Sequence, residues 1–250
     1  MSVALETVGL AKSFGGLAVT RDLSLTIARG ARHALIGPNG AGKTTVINLL
    51  TGLLRPDGGC ILLEGSDVTR LPVHARALRG VARTFQINEL FADLSPLETI
   101  ALAVSERHGR GSDAWHSLAR TANMGAEIEG HLRQFHLLDV MDQRTATLPY
   151  GKQRLLEIAL AIAAQPRVLL LDEPAAGVPE NEREDILAAV AGLPRDVIVL
   201  LIEHDMDLVF SFADRISVLV NGALLAEGTP EDVARDPRVK AVYLGEGADG

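Results

Sequence analysis

The chain has 250 residues, a formal net charge of −8, 47% hydrophobic and 4% aromatic residues, and one cysteine. This length allows a full hydrophobic core, while the acidic balance argues against a nucleic-acid groove or a lipid-binding patch, because both need clustered lysine and arginine. A single cysteine excludes an internal disulfide and a cysteine metal cluster, and it is typical of a cytosolic protein. Residues 1–10 do not resemble a signal peptide, and no stretch approaches the roughly 20 apolar residues of a membrane span.

The first predicted elements are a β layer and a buried strand. Residues 3–27 alternate weakly between apolar and polar side chains around the turn Gly15-Gly16, which predicts two antiparallel strands. The apolar run at 33–36 predicts a buried strand. This strand leads directly into a glycine-rich segment.

Residues 37–45 match the phosphate-binding loop G-x-x-x-x-G-K-S/T, with a strand before the loop and the helical pattern of residues 46–50 after it. Glycines let consecutive backbone N–H groups wrap a β-phosphate, and the positive end of the following helix faces the same anion. Lys43 would reach the β- and γ-phosphates, and Thr44 would place its hydroxyl on Mg²⁺. We therefore expect the chain to bind a nucleoside triphosphate. The expected contact residues are Gly37, Pro38, Asn39, Gly40, Ala41, Gly42, Lys43, Thr44 and Thr45.

Beyond this loop the pattern continues as α/β and then changes. Strands are predicted at 60–63 and 81–85, on either side of a short helix that begins near Pro72. Between residues 88 and 164 the strand signal disappears, and helical pieces alternate with polar stretches. Strand and helix alternation resumes with the apolar run at 168–171. One α/β core, interrupted by a helical insertion, accounts for this order.

Two carboxylates, Asp172 and Glu173, follow the apolar run at 168–171. Consecutive apolar residues are typical of a fully buried parallel strand, and the carboxyl end of such a strand is where open α/β sheets bind ligands. Asp172 would lie beside the phosphate loop and hold Mg²⁺ with its water shell. Glu173 would polarise the water that attacks the γ-phosphate. Together with the phosphate loop, this pair predicts nucleotide hydrolysis.

Four further features complete a family pattern. Residues 148–153, Leu-Pro-Tyr-Gly-Lys-Gln, precede a predicted helix over 154–164 and resemble the L-S-G-G-Q signature of ABC-type ATPases. Gln86 resembles the glutamine of the family's Q-loop, His204 its switch histidine, and Phe14 the aromatic residue that stacks on adenine. The resemblance covers nearly the whole chain. It implies the ABC ATPase fold, an α/β phosphate-loop NTPase core with an antiparallel β layer and an inserted helical subdomain.

The resemblance also implies roles and boundaries. In the family, nucleotide is clamped between two ATPase subunits, and the helix end at Gly151 would offer unpaired N–H groups and partial positive charge to the γ-phosphate held by the second subunit. Gln86 would sense the metal and the attacking water, and His204 would hydrogen-bond the γ-phosphate. The implied catalytic residues are Glu173, His204 and Gln86, and the implied metal residues are Thr44, Gln86 and Asp172. The implied domains are the first part of the nucleotide-binding core with the β layer at 1–87, the helical subdomain with the signature at 88–164, and the second part of the core with the C-terminal tail at 165–250.

The chain departs from the family pattern at two places. Pro149 stands where the signature serine usually does, so a hydroxyl donor to the γ-phosphate is missing, and proline offers no backbone N–H in its place. A charge-assisted hydrogen bond is worth about 1.5 to 3 kcal/mol, so we expect a weaker closed dimer rather than none. Because each signature serves the other subunit's nucleotide, the weakened half-site of an asymmetric dimer would be the partner's. The loop 176–179 lacks the aspartate of the family's S-A-L-D loop, which puts cross-subunit communication through that carboxylate in doubt.

Several blocks resemble the ATP-binding subunits of branched-chain amino acid importers. These blocks are residues 83–86, residues 172–177 and the tail from Glu227 to Glu246, and Tyr150 in the signature is especially telling. The resemblance implies ATP and Mg²⁺ as ligands and a peripheral position on the cytoplasmic face of the cell membrane. It implies a second ABC ATPase subunit, as homo- or heterodimer, two transmembrane permease subunits and, indirectly, an extracytoplasmic substrate-binding protein. No nucleic-acid partner is expected.

Other functions are open. The chain could serve another ABC system, such as urea or amide import or lipid export. A weakly catalytic regulatory subunit is favoured by Pro149 but opposed by Glu173 and His204. A soluble ABC ATPase of translation or DNA maintenance would usually have tandem ATPase halves, a long coiled coil or a basic surface, and the sequence indicates none of these. A phosphate-loop GTPase would have the N-K-x-D motif, which the sequence lacks.

The segment 89–94 follows Gln86 closely and is rich in apolar residues. Its position suits a socket for a cytoplasmic helix of the permease. Packing against the helical insertion is an equally good interpretation.

Overall fold

The computed structural model describes residues 3–84, 90–109 and 122–245. Gln86 therefore lies outside the described residues. The chain forms two compact units. The first comprises Met1–Arg83, Arg167–Glu173 and Pro194–Gly250, and the second comprises Thr84–Pro166 and Pro174–Leu193. The expected domain boundaries after residues 87 and 164 stay a prediction.

Ten strands occur in the described part of the chain, all of them in the first unit. They are β1 (Val3–Phe14), β2 (Leu17–Ala28), β3 (Arg32–Ile36), β4 (Gly58–Leu63), β5 (Ser66–Asp67), β6 (Val81–Arg83), β7 (Val168–Asp172), β8 (Ile198–Ile202), β9 (Arg215–Val220) and β10 (Ala223–Gly228). One sheet is antiparallel, with the strand order β2-β1-β4-β5. Its first two strands are joined by the turn Gly15-Gly16, so the predicted β layer is confirmed.

Nine α-helices occur in the same described ranges. They are α1 (Lys43–Thr51), α2 (Val73–Ala77), α3 (Pro96–Arg107), α4 (Ala122–Gln134), α5 (Tyr150–Ala163), α6 (Glu180–Ala191), α7 (Met206–Phe212), α8 (Pro230–Arg235) and α9 (Pro237–Gly245). The second unit holds α3 to α6, and the first holds the rest. Among these helices, none combines the length and the apolar character that a membrane crossing requires.

The second sheet of the first unit has the strand order β10-β9-β3-β8-β7-β6 and is parallel except for β10. All residues of β3, β7 and β8 are buried, as continuous apolar runs predict. In the ladder, Ile202 lies opposite both Leu35 and Asp172. The carboxyl ends of the three strands therefore meet at one edge of the sheet, where α/β folds place ligands.

The core of the first unit fixes the start of α1 and the end of β7. Side chains from α1, the β layer and the six-stranded sheet share one hydrophobic cluster, represented by Ile47, Ile61 and Leu170, each fully buried. Full burial of one such aliphatic side chain contributes about 1.5 to 3 kcal/mol. The cluster thus holds rigidly the two elements from which the expected nucleotide residues project.

Among its described residues, the second unit has helices, turns and irregular segments but no strand, and a strand-free segment was expected for the insertion. α3 begins with a capping box, in which Ser95 and Glu98 satisfy each other's backbone N–H groups, and with Pro96 in its first turn. α3 packs against α4 and α5 and buries Ile100 and Val104 completely. The signature helix α5 begins at Tyr150, four residues before the predicted start, so Gly151 belongs to its first turn.

Candidate active site

The phosphate loop connects β3 to α1 in the first unit. Gly37 has φ 153°, and a Cβ atom there would lie 2.1 Å from the carbonyl oxygen of Leu219 on β9, so only glycine fits. Gly42 precedes α1 in a left-handed conformation, and no described side chain caps the helix. A helix start without a side-chain cap is the arrangement at which proteins commonly bind anions.

The loop surrounds a cavity of about 240 Å³. Its lining consists of Val19, residues 39–45 and Glu173. The Lys43 Nζ donates hydrogen bonds to the carbonyl oxygens of Gly37 at 2.5 Å and Pro38 at 3.1 Å. The structure thus brings the loop, including Thr44 and Thr45, together with the predicted catalytic carboxylate around one cavity.

A turn that sequence reasoning did not assign to the site lies behind the loop. Gly222 donates its N–H to the carbonyl oxygen of Ala41 at 3.0 Å and accepts the N–H of Arg21 at 2.7 Å. Its φ is 78°, and a Cβ there would lie 2.2 Å from the carbonyl oxygen of Val19. Asn-Gly is a dipeptide typical of hairpin turns, but only the fold shows that the Asn221-Gly222 turn supports the phosphate loop.

Asp172, at the end of β7, is 1% exposed. Its Oδ2 accepts a hydrogen bond from Arg83 Nη2 at 2.8 Å, whereas its Oδ1 is buried with no hydrogen-bond partner among the described residues. Burial raises the pKa of Asp172, although the hydrogen bond and charge of Arg83 oppose the shift. A buried carboxylate oxygen that lacks a protein partner fits a site for a hard cation such as Mg²⁺.

Glu173 follows Asp172 with φ 48°, a left-handed conformation that non-glycine residues rarely adopt and that is enriched at functional sites. Its backbone N–H donates to the carbonyl oxygen of Ile202 at 2.9 Å. The Nδ1 of His204 lies 3.8 Å from Glu173 Oε1 and 3.7 Å from Glu203 Oε2. Glu203 is buried, and His204 is 67% exposed. His204 therefore projects from the sheet edge between two carboxylates, one of which the sequence motifs did not identify as part of the site.

Phe14 lies at the end of β1 and is 48% exposed. The Nζ of Lys12 lies 5.7 Å from its ring centroid. Phe14 does not line the cavity of the phosphate loop. Its predicted contact with adenine stays a prediction, as does the predicted role of Gln86, which falls outside the described residues.

The second unit carries the signature at the start of α5. Pro149 is the N-cap residue and makes no side-chain cap. The N–H of Gly151 is already paired, because it donates to Oε2 of Glu182 on α6 at 2.8 Å. A Cβ at position 151 would lie 2.2 Å from that oxygen, so the close approach requires glycine. The expectation that the N–H groups at this helix end are unpaired is wrong for Gly151.

Tyr150 joins the start of α5 to the loop before α6. Its hydroxyl donates to the carbonyl oxygen of Ala176 at 3.4 Å and accepts a hydrogen bond from Arg154 Nη2 at 2.7 Å. The guanidinium of Arg154 also lies 5.2 Å from the tyrosine ring centroid and pairs with the buried Glu157 at 2.8 Å. These contacts explain why an aromatic residue suits this signature position.

Comparisons with known proteins agree with this geometry. A family model described as ABC transporter matches residues 20–176, and one described as branched-chain amino acid ATP-binding cassette transporter matches residues 223–249. The high-affinity branched-chain amino acid transport ATP-binding protein BraF of Pseudomonas aeruginosa is 42% identical, over 97% of this chain and 98% of the relative. The high-affinity branched-chain amino acid transport ATP-binding protein LivG of Escherichia coli is 39% identical, over 97% of this chain and 98% of the relative.

A solved structure has the same fold. It is the ADP conformation of an ATP-binding cassette of an ABC transporter, with a TM-score of 0.81 and 30% sequence identity, and the match covers 98% of this chain and all of the other. The predicted fold class is confirmed. The chain belongs to the ABC transporter family, as one of its nucleotide-binding ATPase subunits.

Proposed function

We propose that this ATPase drives an importer of branched-chain or related amino acids. The chain is similar over nearly its whole length to relatives named for branched-chain amino acid transport, and its residues 223–249 match the model described for such cassettes. The observation that carries the catalytic part is the shared cavity of the phosphate loop and Glu173. This arrangement supports cleavage of a bound triphosphate by water.

Each residue of the first unit has a proposed task. The backbone of residues 37–42 and the Lys43 ammonium bind the phosphates, and Phe14 stacks on adenine. Glu173 takes a proton from the attacking water and is the general base. His204 donates a hydrogen bond to the γ-phosphate. The left-handed backbone at Glu173 supports the general-base role of this residue, because Glu173 follows the end of β7 and lines the cavity of the phosphate loop.

Thr44 and Asp172 would hold Mg²⁺ when it is bound, and Gln86 would contribute to the same site. The buried Oδ1 of Asp172, without a partner among the described residues, supports this assignment. The metal would neutralise charge on the β- and γ-phosphate oxygens. Thr44, which lines the cavity, supplies a hydroxyl, and Asp172 supplies the carboxylate.

The partners follow from the proposed transport role. Two copies of this chain, or this chain and a second ABC ATPase, close over nucleotide, with Gly151 of one subunit facing the phosphate bound by the other. The ATPase pair binds two permease subunits from the cytoplasmic side of the cell membrane, and a substrate-binding protein delivers the cargo on the other side. The transport names of the relatives support this assembly.

The proposal is tested by reconstituting the chain with the permeases and the ATPase that copurify with it. Leucine, isoleucine or valine on the cognate binding protein should stimulate ATP hydrolysis. Stimulation by urea, an amide or a lipid instead would assign the chain to another ABC system. Pro149 favours a second candidate, a weakly catalytic regulatory subunit. This alternative predicts that the reconstituted complex binds nucleotide but hydrolyses little of it, whichever substrate is supplied.

A further inference from the structure

Arg83 lies at the end of β6, opposite Leu170 in the ladder with β7. Its side chain is 9% exposed. Nη2 donates to Asp172 Oδ2 at 2.8 Å, and Nη1 donates to the side-chain oxygen of Asn48 at 2.6 Å. A single planar guanidinium therefore joins the strand that ends at the metal carboxylate to the helix that begins at the phosphate loop.

The hydrogen bond from Arg83 to Asn48 links the guanidinium to the helix that carries Thr44. Asn48 follows Thr44 by one helical turn on α1, so both residues belong to one face of that helix. The hydrogen bond to Asn48 fixes the orientation of the guanidinium, and the guanidinium fixes the orientation of the carboxylate. Asp172 and Thr44 are thus connected through Arg83 and Asn48, two residues that were not among the expected site residues.

This connection makes the two oxygens of Asp172 different. Oδ2 is paired with Arg83, and Oδ1 is buried with no hydrogen-bond partner within the described ranges. An unpaired buried acceptor is costly, and a ligand that supplies the missing partner offsets that cost. The carboxylate is therefore held with one oxygen occupied and one oxygen available.

We propose that Arg83 is a positioning residue for magnesium binding, which holds Asp172 by Oδ2 and keeps Oδ1 directed to the cation or its water shell. The proposal rests on the proposed magnesium role of Asp172. Groups that orient metal-binding carboxylates typically change metal affinity by about 10- to 100-fold when they are removed. Arg83 would act on the reaction only through Asp172.

The positive charge of Arg83 weakens magnesium binding, whereas its orientation of Asp172 would strengthen it. A guanidinium next to the site repels Mg²⁺, so its removal would strengthen magnesium binding if charge were the only effect. Arg83→Gln removes both the charge and the guanidinium fork. Arg83→Lys keeps the charge, but its compact ammonium cannot reproduce two hydrogen bonds to separate partners. The two variants together separate orientation from charge.

The measurement is the affinity of the full chain for a non-hydrolysable ATP analogue in EDTA and in saturating Mg²⁺. The ratio of the two dissociation constants is the magnesium enhancement. We expect Arg83→Lys to lower this enhancement about tenfold. Arg83→Gln should also lower it, but by less, because loss of the repelling charge opposes the loss of orientation. Arg79→Lys and Arg79→Gln are matched controls and should leave the enhancement unchanged. Arg79 is exposed, and among the described residues its side chain donates only to the carbonyl oxygen of Ala75.

An unchanged enhancement in Arg83→Lys, or a larger one in Arg83→Gln, would overturn the proposal. A lower melting temperature with unchanged enhancement would identify Arg83 as a brace of the fold only. If neither variant folds, Asn48→Ala can be used, because it keeps the ion pair between Arg83 and Asp172. It should lower the magnesium enhancement in the same direction but by less. An unchanged enhancement in Asn48→Ala would also overturn the positioning role of Arg83. If the affinity of the wild-type chain for the ATP analogue is the same in EDTA and in saturating Mg²⁺, that result would instead contradict the magnesium role of Asp172 itself.

Discussion

The carboxylate of Glu182 accepts a hydrogen bond from the backbone N–H of Gly151 at 2.8 Å, in the first turn of α5. The first-turn N–H groups of a helix have no intrahelical partner, and Pro149, the N-cap residue, makes no side-chain cap. Glu182 therefore caps α5 from another helix. The helix end that is proposed to meet the partner's phosphate thus holds an anion of its own chain.

Glu182→Ala should destabilise the second unit by about 1 kcal/mol, the usual effect of losing a helix cap. Glu180→Ala is the matched control, because Glu180 is exposed in the same first turn of α6. Both variants lose the same favourable interaction with the α6 dipole, so their difference reports the bond to Gly151. Urea unfolding of the full chain measures it, and equal losses would contradict the capping role.

Glu173→Gln should reduce ATP hydrolysis at least 10²-fold while nucleotide binding is retained, because the amide keeps the shape of the side chain but cannot accept the proton of water. Steady-state hydrolysis of the assembled transporter and equilibrium binding of ATP are the two measurements. Glu231→Gln, on the exposed side of α8, is the control. Unchanged turnover would remove Glu173 from the mechanism.

Gly222→Ala should weaken both folding and ATP binding. The new Cβ would meet the carbonyl oxygen of Val19 at 2.2 Å, directly behind the phosphate loop. Gly65→Ala is the matched control, since Gly65 has φ 77° but no atom within 4 Å of its Cβ position. Both variants carry the left-handed strain, and we expect Gly222→Ala to cost about 1 to 3 kcal/mol more through overpacking. An ATP affinity equal in the two variants would contradict the supporting role of the turn.

The stability of the chain should fall as pH decreases from 6.5 toward 4. His33 is fully buried on β3, and burial lowers its pKa from 6.5 to about 4, although the charge of Glu227 opposes the shift. The unfolded chain binds a proton at His33 as the pH falls below 6.5, whereas the folded chain binds it only near pH 4. The free energy of unfolding is therefore unaffected by His33 above pH 6.5 and decreases between pH 6.5 and pH 4. The loss is on the order of 3 kcal/mol.

Urea unfolding between about pH 7.5 and 5 checks this prediction. In the folded chain, Nε2 of His33 lies 2.8 Å from the Ser217 hydroxyl, which donates to Glu227. His33→Gln keeps a polar group near Ser217 but cannot titrate, so its stability should depend less steeply on pH. A variant with the wild-type slope would show that other groups cause the dependence.

Local motifs made the position of the candidate site predictable. The phosphate loop is a run of consecutive residues, and Asp172 and Glu173 directly follow the apolar strand that positions them, so sequence order alone indicated their place at the sheet edge. The ends of helices were less predictable. α1 begins at Lys43 and α5 at Tyr150, each before its apolar pattern starts, because backbone geometry and capping decide where the first turn forms.

By itself, the sequence determined the order of the elements, the phosphate loop and the carboxylates, since each is encoded by neighbours along the chain. Only the tertiary structure decided that Arg83 holds Asp172, 89 residues away, and that Gly151 meets Glu182, 31 residues away. Such pairs depend on strand order and helix packing, which no local spacing specifies. The physical reason is that a hydrogen bond forms within about 3 Å in space, whereas a sequence pattern reports only separation along the backbone.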